Sequence, residues 1–190
     1  MEYNKPRYNP KIHHRRSIRL KGYDYSQAGL YFITICSQNR ICRFGEIVTA
    51  TMILNDAGKM VDDEWLALVD RFPNIALHEY IVMPNHFHCI LEIVWAYPND
   101  DGAPKNKTIG DMMDAFKSIT TVKYIHGVRT NPCDCPTGIK CMCGGWKPFD
   151  GKIWQRDYYE HIIRDEESYY RISEYIKNNP AKWKDDKFHT

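Results

Sequence analysis

No stretch of the 190 residues is apolar over the length of a membrane span, and the N-terminal Met-Glu-Tyr-Asn-Lys-Pro-Arg lacks the apolar core of a secretory signal. Those absences argue against a membrane-spanning protein and a secreted disulfide scaffold, and make the cytoplasm the expected location. No internal repeat or low-complexity tract is visible, which excludes a repeat array. There is also little excess of either charge, 26 Lys and Arg against 24 Asp and Glu for a formal net of +2, which excludes a wholly basic binding protein. The near-balance hides an asymmetry. Residues 1–22 carry Lys5, Arg7, Lys11, Arg15, Arg16, Arg19 and Lys21 against Glu2 alone, a net of +6 that leaves −4 for the remainder. A basic arm (1–22) on a mildly acidic body (23–190) suits local contact with a polyanion; a solvated tail is the other reading.

What is present fits one domain with a real core, since 43% of the chain is hydrophobic and 13% aromatic. Seven cysteines without a secretion signal point to free thiols or metal ligation. Four of them, Cys133, Cys135, Cys141 and Cys143, crowd a loop at 131–145. They supply enough thiolates for a tetrahedral structural Zn²⁺ site, although their one-residue gaps are tighter than usual, and a metal-free loop is the alternative.

Residues 30–36, Leu-Tyr-Phe-Ile-Thr-Ile-Cys, are β-branched and aromatic and read as a first strand, with a short strand or hairpin arm at 44–51. Helical spacing of Val61, Trp65, Leu68 and Val69 predicts a helix from about Asn55 that Pro73 terminates. Two apolar strands, 75–83 and 86–95, are joined tightly enough to pair as a hairpin. A second helix starts from Thr108 as its cap and runs through Phe116 to Val122. Residues 152–163 read as a last strand or extended segment, and a final helix opens at Asp165 or Ser168 and stops before Pro180. The order β-α-β-β-α-β-α describes an α+β fold: a ferredoxin-like (RRM-like) antiparallel sheet backed by helices, with an extra C-terminal helix.

Within Met83-Pro84-Asn85-His86-Phe87-His88-Cys89, strand alternation puts His86 and His88 on one face and Phe87 and Cys89 on the other. Two adjacent imidazoles make half of a metal site, or simply line a polar sheet face. On the last helix Tyr175 and Asn179 share a stripe with Ile172 and Ser168, so the phenol sits at the margin of the face that buries Ile172 and Ile176.

The ordered set of motifs resembles the single-tyrosine HUH transposases of the insertion-sequence type, and particularly their REP-associated tyrosine transposase branch. The matching pieces are Arg15 to Asp24, Tyr31 to Thr34, Met83 to His88, Phe116 to Ser118, Ile153 to Arg164 and Tyr175 to Pro180. The resemblance implies that Tyr175 is the nucleophile, that His86 and His88 bind Mg²⁺ or Mn²⁺, and that Asn179 is the third, polar ligand. Many relatives carry glutamine at that last place, so a bridging water at Asn179 stays open. It further implies cleavage of single-stranded, hairpin-associated DNA through a 5′-phosphotyrosine link.

Phosphate contacts are expected from Arg15, Arg16, Arg19, Lys21, Lys117, Lys123 and Arg156. Tyr31, Phe32, Tyr80, Trp154, Tyr158 and Tyr159 are candidate stacking partners for unpaired bases. A relaxase is disfavoured because the tyrosine follows the histidines by most of the domain, and a catalytically idle DNA-binding regulator of the same fold is the alternative. A homodimer that exchanges the tyrosine helix and a monomer are both open, the dimer being favoured.

Overall fold

A computed structural model describes residue 20 and residues 22–96, 106–131 and 146–189. Arg15, Arg16, Arg19, Lys21 and the four loop cysteines lie outside the described residues.

Among the described residues, six strands and four helices follow the expected order. Gly29–Cys36 forms β1, Gly45–Val48 and Thr51–Leu54 form the hairpin β2 and β3, and Asp56–Leu66 and Leu68–Arg71 form α1 and α2. Ile75–Val82 and His86–Ile93 are β4 and β5, Ile109–Thr130 is α3, Tyr159–Ile163 is β6 and Glu166–Lys177 is α4. The main sheet runs β4-β5-β1-β6 with every neighbour antiparallel, the ferredoxin-like order. The three longer helices begin on side-chain caps: Asn55 accepts from Gly58 N–H, Asp165 from Ser168 N–H, and Thr108 and Asp111 form a reciprocal capping box.

Strand alternation splits the apolar residues between two faces. Tyr31, Ile33 and Ile35 of β1 and Phe87, Cys89 and Leu91 of β5 join Trp65 of α1 and Phe116 of α3 in the larger core. Phe32, Ile90 and Ile163 point the other way and meet Ile172 and Ile176 of α4. The central strands are therefore buried on both sides, which is why β5 reads as nearly continuous apolar sequence outside its histidines.

A bulge in β4 fixes α4 in place. Pairing passes from Leu77 opposite Leu91 to Tyr80 opposite Cys89, so one extra residue is accommodated on β4. Beside it, His78 Nδ1 meets the Tyr169 hydroxyl at 3.2 Å and Glu79 pairs with Lys177 at 3.1 Å, both partners on α4. Glu92 holds the other nitrogen of His78 at 2.8 Å.

Three details differ from the sequence reading. The helix expected across 55–69 breaks at Ala67 into α1 and α2. α3 runs two turns beyond Val122, because Tyr124 and Gly127 continue its buried stripe. Gly127 is required there by close approach: a Cβ would lie 2.3 Å from the Trp146 ring. The last strand pairs only from Tyr159 onward, while Trp154 makes one isolated bridge to Ser37 and buries its ring beside Phe44.

Candidate active site

His86 and His88 leave β5 on the face that α4 covers, opposite Cys36 and Thr34 of β1. Both are buried, with ring centroids 4.5 Å apart. Each Nδ1 is engaged from behind: His86 Nδ1 lies 2.9 Å from Asn85 Oδ1, and His88 Nδ1 lies 2.8 Å from Thr34 Oγ1. The Asn85 amide nitrogen already donates to the carbonyls of Arg40 and Phe188, so its oxygen can only accept and His86 must carry its proton on Nδ1. That leaves His86 Nε2 as a lone pair, and it is buried without a hydrogen-bond partner. Burial pushes His86 down to about 4, against the opposing pull of the Asp186 carboxylate, and lowers His88 well below the ordinary histidine range. Both imidazoles are therefore neutral at physiological pH, the form that ligates a cation.

Tyr175 reaches this pair from α4. Its hydroxyl lies 3.3 Å from His88 Nε2, its ring meets Phe32 edge-on, and 38% of the residue stays exposed. The helix thus holds it at the margin of the buried face, as its spacing with Ile172 and Ile176 implies. Burial and the nearby Asp186 charge raise its pKa above that of an ordinary phenol.

Asn179, just past the end of α4, is buried with Oδ1 unpartnered, and its amide bears on the titration of both His86 and Tyr175. Sequence reasoning missed Asp186. The chain after α4 folds back across the histidines, and the ligating atoms of His86, His88 and Asp186 all lie within 4.8 Å of one another. One Asp186 oxygen, Oδ1, also accepts from the Phe188 N–H at 2.7 Å. The only local signal was the charged run Lys184-Asp185-Asp186-Lys187, which reads as solvated surface. Two neutral imidazoles, one of them with its buried Nε2 unpartnered, and a carboxylate suit a divalent cation, so the residues present fit the group that the resemblance implies.

Known proteins resemble this chain over most of its length. The chain is 40% identical over 195 residues to an uncharacterized protein of Haemophilus influenzae, covering 96% of this chain and 97% of that one. It is 27% identical over 158 residues to the REP-associated tyrosine transposase of Escherichia coli, covering 83% and 70% respectively. The chain is thus similar to REP-associated tyrosine transposases over most of its length. A solved structure of such a transposase bound to a REP hairpin shares the fold, with a TM-score of 0.50, 19% identity, and coverage of 87% of this chain and 74% of that one. No protein-family model matches.

The other expected contacts are scattered. Lys117 Nζ donates to the Arg156 carbonyl at 2.7 Å, and both residues line a pocket beside α3 rather than the histidine site. Lys123 is ion-paired to buried Glu64. Of the aromatic candidates, Tyr31 and Trp154 are buried in the larger core, Tyr80 packs against Trp65 and Phe87, and Tyr159 stands open beside the site. No helix among the described residues is long and apolar enough to cross a membrane.

Proposed function

We propose that this transposase relative cuts and rejoins single-stranded DNA beside hairpins, with Tyr175 as nucleophile and with divalent-cation assistance. The observation that carries the reading is the 3.3 Å approach of the Tyr175 hydroxyl to His88 Nε2, next to the unpartnered Nε2 of His86. The Escherichia coli relative supports the reaction class, and the hairpin-bound relative supports the kind of DNA.

A phenol whose pKa lies above its ordinary value is almost wholly protonated at neutral pH, so attack on a phosphodiester needs help. A Mg²⁺ or Mn²⁺ ion held by His86, His88 and Asp186 or Asn179 would supply positive charge that polarises a non-bridging phosphate oxygen. The chain does the rest. α4 aims the phenol, and Asn85 and Thr34 orient the imidazoles. The tyrosine oxygen forms a bond to phosphorus as the bond to the 3′-oxygen breaks; the phenol loses a proton and the 3′-oxygen gains one. The 5′-phosphotyrosine link conserves the bond energy, so a 3′-hydroxyl can reverse the step and complete strand transfer without ATP.

One observation favours an idle regulator as the second reading: His86 is fully covered, with Phe188 and Trp183 ring centroids 4.7 and 5.9 Å from its own. A nicking assay on single-stranded hairpin DNA with Mn²⁺ separates the two. Wild type is expected to form a covalent protein–DNA adduct, and Tyr175→Phe and His86→Ala none. An adduct that persists in Tyr175→Phe overturns the nucleophile, and DNA binding without an adduct in wild type selects the regulator.

A further inference from the structure

The sheet face that carries the histidines is only half covered. α4 leans mainly on β4, so β1 and β6 floor an open cavity of about 620 Å³ beside it. Phe32 and Thr34 of β1 and Tyr159 and His161 of β6 form that floor. Tyr175 and Arg171 of α4 line one wall, and Lys182 and Lys187 of the following segment line the rim. The nucleophile therefore faces two compartments, the histidine pair on one side and this cavity on the other.

We propose that the cavity binds one unpaired nucleotide adjoining the phosphate that Tyr175 attacks, its base stacked on Tyr159 and its phosphate facing Arg171 and Lys182. The proposal rests on the reading of Tyr175 given above and names the subsite that would position the strand for it.

Three observations support it. The volume falls within the range of small-ligand sites, about 300–1,000 Å³, and is ample for a mononucleotide. Tyr159 is 46% exposed and is backed edge-on by Phe32 at 6.1 Å. The Lys187 ammonium lies 5.8 Å from the Tyr159 ring centroid, so the ring is within reach of the cations on the rim. An aromatic platform beside cationic side chains is the pairing that single-stranded nucleic acid requires: stacking for the base, charge for the backbone. The two carboxylates at the rim do not cancel this. Asp186 is turned toward the histidines, leaving Asp185 against Arg171, Lys182 and Lys187.

The test uses the full chain and a fluorescein-labelled hairpin oligonucleotide with single-stranded flanks, chosen as the tightest binder from a pool randomised in those flanks. By anisotropy, Tyr159→Ala is expected to weaken binding about tenfold, while Tyr159→Phe, which keeps the ring, binds like wild type. Removing flank bases one at a time should reveal one position where wild type loses that same factor and Tyr159→Ala loses nothing further. Equal binding by wild type and Tyr159→Ala, base-removal losses that add to the Tyr159→Ala loss at every position, or no binding by any member of the pool would overturn the subsite. Adduct formation on the same oligonucleotide with Mn²⁺ is scored in parallel. An adduct without the one-position signature overturns the stacking platform alone. The signature without an adduct supports the cavity as a nucleotide site and overturns the role given to Tyr175.

Discussion

Asn85 decides which nitrogen of His86 is free. Its amide is locked by two carbonyl acceptors, its oxygen takes the His86 Nδ1 proton, and the opposite nitrogen is left as a buried lone pair with nothing to bind. An unpartnered buried acceptor costs about 1–3 kcal/mol, a strain that a bound cation would relieve. His86, His88 and Tyr175 were legible in the sequence because strand and helix periodicities put them on facing surfaces and the flanking motifs match a family. Asp186 was not, because its approach depends on the chain reversing after Pro180, which no local pattern encodes. Its carboxylate should nevertheless outrank the Asn179 amide as a ligand, since charge favours a hard divalent cation. Asp186→Asn is expected to weaken Mn²⁺ binding roughly tenfold or more and Asn179→Ala less, read by titration calorimetry on the full chain. The reverse ranking would make the amide the third ligand.

At the scale of elements, the legible parts were those with strong periodicity or caps. The β4–β5 pair, the Thr108 start of α3 and the Asp165 start of α4 all stand where the sequence put them. The β2–β3 hairpin was only half legible, because Thr49 and Ala50 turn it with φ of 49° and 61° and neither residue is an ordinary signal for that conformation. Gly127 lies beyond the stretch that the sequence marked as helical and is the flat spot on which Trp146 packs. The segment after α4 had no periodicity at all, yet it governs access to the site. Phe188 packs over His86, its carbonyl accepts from Asn85 at 2.7 Å, and Arg40 grips the neighbouring Lys187 carbonyl at 3.0 Å. If Tyr175 attacks a phosphate held at these histidines, this cover would have to draw back first, and the fraction of open molecules would scale the observed rate. Phe188→Ala should raise that fraction and speed Mn²⁺-dependent adduct formation several-fold, measured at subsaturating DNA. A slower reaction would instead assign the ring to substrate binding.

Across the whole molecule the two faces of the sheet divide the work. The face under α1 and α3 carries the larger core, and the face under α4 carries the histidines, the phenol and the cavity. Stability and chemistry should therefore be separable by mutation, and Glu64 offers the test. It is buried on α1, where Lys123 of α3 and Arg71 of α2 both reach it, the latter at 2.9 Å. Burial pushes its carboxyl upward, but the hydrogen bonds and charges of Lys123 and Arg71 outweigh that and hold it below its ordinary value of 4.5. A folded-state value depressed below the unfolded one contributes stability that is fully present above the unfolded value and disappears as acid protonates the folded carboxylate. Because Lys123 and Arg71 are themselves partly exposed, the contribution is discounted to about 1–3 kcal/mol. Glu64→Gln is thus expected to lower the urea-unfolding free energy by that amount near neutral pH. The gap should begin to close as the pH falls through 4.5 and vanish below the depressed value. Adduct formation at neutral pH should match wild type. A gap that stays constant across the acid range would show that packing rather than charge holds Glu64, and a loss of adduct in the folded variant would show that the two faces are coupled through the sheet.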